Sequence, residues 1–84
     1  MSTVTGEDLF QILIASAGNP EIDVHENDFV DYQFEDLGYD SLALIEAAAR
    51  VEQRYNVALP EEKLIEMTTP RQLLEFVNAA IADN

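Results

Sequence analysis

The 84 residues, read as a single domain over 1–84, bury only about 60 to 65% of their unfolded surface, so the core is modest. With no cysteine in the chain, neither a disulfide scaffold nor a thiolate metal site can supplement it. Seventeen acids against four bases give a formal charge of −13, which excludes nucleic acid as a partner because phosphate contacts need Lys and Arg.

The apolar runs are far too short for a membrane span, and the first residues carry neither a basic segment nor a signal-like apolar region. A soluble, cytoplasmic, monomeric protein is expected. Thr5 and Asp8 form a capping-box pattern, and Leu9, Ile12, Leu13 and Ala17 recur at helical spacing. This predicts a first helix from Gly6 to Ala17. Gly18, Asn19 and Pro20 stop it, Gly by accepting a left-handed cap and Pro by being unable to continue.

From Glu21 to Tyr39 acids interleave with Ile22, Val24, Phe29, Tyr32, Phe34 and Leu37 too irregularly for a strand. A long loop pinned to the bundle by these apolar side chains is expected, with a helical turn near Phe29. No base precedes Ser41, while ten acids lie between Glu7 and Asp40. Such a field serves solubility and steers basic surfaces toward the protein.

Asp40 or Ser41 suits the N-cap of a second helix, and Leu42 to Tyr55 contains no Gly or Pro. At 100° per residue Leu44, Ala48, Val51 and Tyr55 share one face, a core stripe, whereas Leu42, Ile45 and Ala49 share another. The second stripe, with Glu46, Glu52 and Gln53 around it, either lies under the long loop or meets a partner. Arg50 and Arg54 project away from it and are expected to pair with acids on the helix surface.

Pro60 fits the first position of a short helix within Glu61 to Glu66. Thr69 as N-cap, Pro70 at the first helical position and Gln72 closing a capping box then start the last helix. It carries Leu73, Leu74, Phe76, Val77, Ala80 and Ile81 along one face, with Glu75, Asn78 and Ala82 opposite. The sum is an all-α four-helix bundle with three main helices, one short third helix and a long first loop.

Catalytic equipment is missing. A serine nucleophile needs a base, and the only histidine, His25, sits in the acidic loop. A nucleophile elbow requires Gly where Ala43 stands. Asp23, His25, Asn27 and Asp28 suggest calcium, but an EF-hand loop from Asp23 needs Gly at Asp28 and Glu at Phe34. No metal site is expected. Two readings of Ser41 remain: it caps the helix, or it carries a phosphodiester beside free backbone N–H groups and the positive end of the dipole.

The stretch "LGYDSL", residues 37–42, closely resembles the attachment motif of acyl carrier proteins, in which the serine of Asp-Ser-Leu carries 4′-phosphopantetheine. Helix order, the long first loop and the acidic charge resemble that family over nearly the whole chain. "GYDSLAL", "AARVEQRY" and "TPRQLLEFVN" look like the discrete carriers of bacterial type II (aromatic) polyketide synthases. That resemblance implies 4′-phosphopantetheine on Ser41, placed there by a phosphopantetheinyl transferase from coenzyme A with Mg²⁺. It also implies Asp40 docking the transferase, an apolar partner patch of Leu42, Ile45 and Ala49, and Glu46 and Glu52 in an acidic rim. The implied role is non-catalytic: malonyl and growing polyketide chains ride as thioesters to a ketosynthase/chain-length-factor pair, a malonyl transferase, a ketoreductase and cyclases. Acyl chains are expected to slip between the helices, with Leu44, Leu64 and Ile65 as wall residues. The alternatives are a carrier for fatty-acid or another acyl pathway, and an unmodified acidic helical interaction domain.

Overall fold

The computed structural model describes residues 3–25 and 28–83; Asn27 of the rejected calcium spacing lies outside them. Among the described residues five α-helices run in the order α1 (Gly6–Ala17), α2 (Phe34–Leu37), α3 (Ser41–Tyr55), α4 (Glu61–Leu64) and α5 (Pro70–Ala82). None is long and apolar enough to cross a membrane.

Helix α1 begins where the capping box places it, with Thr5 accepting the Asp8 N–H and Asp8 accepting the Thr5 N–H, both at 3.1 Å. Its buried stripe of Leu9, Ile12 and Leu13 packs chiefly against α3, which contributes Leu44, Ala47, Ala48 and Val51. The alanines let the two backbones approach, and the leucines fill what remains. Each fully buried Leu or Phe stabilises the fold by roughly 1.5–3 kcal/mol. Helix α5 closes the bundle through Leu73 and Val77, both fully buried, after the expected capping box at Thr69 and Gln72. Asn78, assigned by periodicity to the outer face of α5, is half-buried and clamps the Val4 backbone instead. It accepts the Val4 N–H at 2.8 Å and donates to the Val4 carbonyl at 2.9 Å.

The first loop is more structured than its sequence suggests. The turn expected near Phe29 is a 3₁₀ helix over Phe29–Asp31, and Phe29 is fully buried with its ring 4.7 Å from that of Phe10. The further helix α2 carries no signal in the sequence: Gln33 precedes it without capping it, and only four residues are helical. Tertiary contacts make it. Phe34 and Leu37, one turn apart, are both buried, and the Phe34 N–H donates to the Thr68 carbonyl at 2.8 Å. Gly38 ends α2 in the left-handed region at φ 83°, packed so closely on Glu21 that a side chain would collide with it.

The short fourth helix starts one residue later than expected. Pro60 is extended at ψ 130° and serves as N-cap, its carbonyl accepting the Lys63 and Leu64 N–H groups. Arg50 and Arg54 depart further from expectation. Neither pairs with an acid among the described residues, where the ion pair is Arg71 with Asp31 at 2.8 Å. Both turn toward α1, where they line a groove with Gln11, Ile12 and Ala15.

Tyr39 fastens the loop to the bundle. It is 5% exposed, and its hydroxyl donates to the Gly18 carbonyl at 2.8 Å, joining the end of α1 to the entry of α3. Burial raises its pKa above the ordinary 10.0, because the neutral phenol is the form the site accepts. The stabilisation is therefore complete below the unfolded tyrosine pKa and is lost as pH rises through the higher folded value. Tyr39→Phe is expected to cost about 1 kcal/mol in urea denaturation at pH 7. Repeating the pair above pH ~10 should narrow the gap, since there only the native chain has a buried phenol to ionise.

Candidate functional site

The entry to α3 is built by three consecutive residues with different tasks. Tyr39 is anchored in the core, Asp40 is exposed and extended at φ −93° and ψ −176°, and Ser41 is the first helical residue. The Asp40 carboxylate accepts the Ala43 N–H at 2.9 Å, and its carbonyl accepts the Leu44 N–H at 3.2 Å. The cap that the sequence offers to either residue thus belongs to Asp40. Ser41 is exposed, and its hydroxyl makes no hydrogen bond among the described residues. The N–H groups of Ser41 and Leu42 are unpaired within the same set, at the positive end of a fifteen-residue helix.

Beside Ser41 opens a cleft of about 180 Å³ between α2, the start of α3 and the α4–α5 connection. Phe34, Leu44, Ile65 and Met67 supply its apolar walls, with Tyr39 and Thr68 among the polar ones. Of the expected wall residues Leu44 and Ile65 stand there, whereas Leu64 is 2% exposed in the core. Met67 and Thr68 escaped notice because hydrophobic periodicity lapses after α4; Thr68 acts through the carbonyl that holds α2.

The second stripe of α3 does not lie beneath the loop. Leu42 is 61% exposed, Ala49 and Glu46 are exposed, and Ile45 is half-buried. Glu52 differs from Glu46: half-buried, it accepts the Leu59 N–H at 2.9 Å and so fastens the α3–α4 connection.

A family model described as a phosphopantetheine attachment site matches residues 7–77. The actinorhodin polyketide synthase acyl carrier protein of Streptomyces coelicolor is 45% identical over 80 residues, covering 95% of this chain and 93% of that protein. The chain belongs to the acyl carrier proteins of polyketide synthases. The granaticin polyketide synthase acyl carrier protein of Streptomyces violaceoruber is likewise 45% identical, over 99% of this chain and 98% of its own length. The holo form of the actinorhodin carrier from S. coelicolor superimposes with a TM-score of 0.86 at 45% identity, covering 98% of this chain and 95% of that one.

Acyl carrier proteins of this family hold 4′-phosphopantetheine covalently. The entry to α3 fits such a group: it offers an exposed hydroxyl and two backbone N–H donors, all without a hydrogen-bond partner among the described residues, and a positive dipole end for a phosphodiester. A division of labour between Asp40 and Ser41 makes opposite predictions for their substitution. Asp40→Ala should lower stability by about 1 kcal/mol through the lost cap, whereas Ser41→Ala should stay within about 0.5 kcal/mol of the native chain; paired thermal or urea melts measure both.

Proposed function

We propose that Ser41 is the attachment point of 4′-phosphopantetheine and that the protein delivers malonyl and growing polyketide chains to the enzymes of a discrete type II polyketide synthase. One observation carries the reading: Asp40 caps α3, which leaves the Ser41 hydroxyl exposed and without a hydrogen bond among the described residues. A serine needed only as a cap would be engaged, and one acting as a nucleophile would be paired with a base.

When bound, the group supplies the thiol that this cysteine-free chain lacks, on a flexible arm that presents acyl units as thioesters. The chain's own residues bind and orient. The Ser41 and Leu42 N–H groups stabilise the anionic linkage, and the Asp40 carboxylate, held on the Ala43 N–H, stays on the adjoining side of the helix entry. Leu42, Ile45 and Ala49 form the apolar patch on which successive enzymes land, with Asp40 and Glu46 as charged neighbours. Glu52 contributes its charge to the rim from a fixed position, because Leu59 holds it.

The likeness to type II polyketide synthase carriers supports the partners proposed: a phosphopantetheinyl transferase, then a ketosynthase/chain-length-factor pair, a malonyl transferase, a ketoreductase and cyclases, in the cytoplasm. Docking on so small an apolar patch gives weak, transient contacts, accelerated by the −13 charge acting on basic surfaces. The role is that of a carrier whose partners catalyse.

Intact mass before and after incubation with coenzyme A, Mg²⁺ and a promiscuous phosphopantetheinyl transferase tests the attachment point. The native chain should gain one phosphopantetheine and the folded Ser41→Ala variant none; no gain on the native chain would return Ser41 to the role of a bystander at a helix end. The cleft beside Ser41, walled by Phe34, Leu44, Ile65 and Met67, supports partial shelter for an attached chain. Acylating the holo protein should then move the NMR resonances of Phe34, Leu44, Ile65 and Met67 more than those of the α1–α3 interior. Unmoved cleft resonances would mean that the chain stays in solvent.

A further inference from the structure

The patch around Ser41 does not account for the groove between α1 and α3. Gln11, Ile12 and Ala15 form one wall and Arg50, Gln53 and Arg54 the other, around about 550 Å³. These are two of the four bases in a chain with seventeen acids, yet neither takes an ion-pair partner among the described residues. Glu46, one turn before Arg50, is exposed and within helical reach but leaves it unpaired. Arg54 lies 5.7 Å over the Tyr55 ring and makes no hydrogen bond among the described residues. Its place in the last turn of α3 suits the helix dipole; Arg50, mid-helix, has no such account.

A second hollow, lined by Glu46, Ala49, Arg50 and Gln53, makes this groove continuous with the exposed apolar stripe of α3. One surface therefore runs from an acidic, apolar part beside Ser41 to a basic part beside α1. We infer that Arg50 and Arg54 form a basic edge of the docking face, which seats carboxylate side chains of the partner enzyme and fixes the rotation of the carrier about Ser41. The inference rests on the docking role proposed above for Leu42, Ile45 and Ala49.

The occupant follows from electrostatics. A free anion approaching a body of charge −13 is repelled, and the groove is open to solvent, which screens its guanidinium groups. A carboxylate carried on a partner that the acidic face has already engaged arrives at high effective concentration, so the repulsion is met by the rest of the interface. Mixed charge also discriminates. A partner that is basic throughout meets like charge at this edge in one orientation, and opposite charge alone cannot define a single orientation.

The test compares holo carriers bearing Arg50→Glu with Arg54→Glu, Arg50→Lys with Arg54→Lys, and Leu42→Asp, each verified as folded by circular dichroism and thermal melting. The readout is kcat/KM for chain elongation by the cognate ketosynthase pair. Charge reversal makes the carrier still more acidic, so general attraction to a basic enzyme predicts equal or faster transfer. A seated carboxylate predicts the reverse, a loss of about tenfold or more through KM with kcat retained at saturation, largely restored by the Lys pair. Equal or faster transfer after charge reversal, with Leu42→Asp impaired, overturns the basic edge and leaves the docking face standing. Normal transfer by Leu42→Asp removes the docking face and the edge with it. Two further outcomes overturn the proposal by naming another occupant. Millimolar inorganic phosphate shifting the Arg50, Arg54 and Gln11 resonances without enzyme means a small anion. Concentration-dependent shifts of the native protein alone mean a second copy.

Discussion

The hydrogen bond from the Ala43 N–H to the Asp40 carboxylate fixes where α3 begins, and nearly everything functional in the molecule is measured from that point. A helix start one residue later would make Ser41 the cap, engage its hydroxyl and rotate the exposed stripe of Leu42, Ile45 and Ala49 relative to the cleft. The bond does not act alone. Gly38, left-handed at φ 83°, reverses the chain out of α2, and Tyr39 anchors the turn through Gly18. Asp40 enters at the correct angle because its two predecessors are held. An exposed cap contributes about 1 kcal/mol, so its importance lies in position more than in stability.

Charge sets the second constraint. With a formal −13 on 84 residues, self-repulsion opposes the compact state, and the core that resists it is small. The acidic first loop is where this conflict is sharpest, and the fold meets it with apolar anchors. Phe29, Phe34 and Leu37 are all buried, the Phe34 N–H is held by Thr68, and the Glu21 N–H by the Leu37 carbonyl. The Arg71–Asp31 ion pair adds little, since both side chains are more than half exposed. The described acids of the loop, Glu21, Asp23, Asp28, Asp31, Glu35 and Asp36, thus remain in solvent, where their charge can attract a basic surface, while the apolar anchors hold the loop from beneath.

The parts of this arrangement that a sequence displays are those made by local chemistry. The capping boxes at Thr5 and Thr69, the stop at Gly18 and the two stripes of α3 depend on neighbours within one or two turns, and the helices follow them. What the sequence hides depends on distant partners. Helix α2 exists because Phe34 meets Thr68, thirty-four positions away; Asn78 looks like a surface residue until Val4 arrives beside it. Ser41 lies between the two cases. Its placement at a helix entry is legible, yet the choice of cap between adjacent residues turns on backbone angles that neither side chain announces. The Arg50 and Arg54 assignment failed for a related reason. Helical spacing offers Glu46 to Arg50, but the groove beside α1 offers both guanidinium groups a position that a single-helix projection does not contain.

A carrier that serves many enzymes has to bind each of them briefly, and the docking face proposed above would separate the means of arrival from the means of recognition. Long-range attraction depends on total charge and is indifferent to orientation, so the acids of the first loop can raise encounter rates without prolonging any complex. Residence depends on buried apolar area, and α3 exposes little more than Leu42 and Ala49 with part of Ile45. Orientation then needs a feature that neither supplies. A uniformly acidic face with a small apolar centre could land rotated about the Ser41 axis with little change in energy, and the flexible arm would be presented off line. Ordered charge around that axis, acidic on one side and basic on the other, removes the degeneracy with no added apolar contact, through solvent-screened ion pairs that still let the carrier leave.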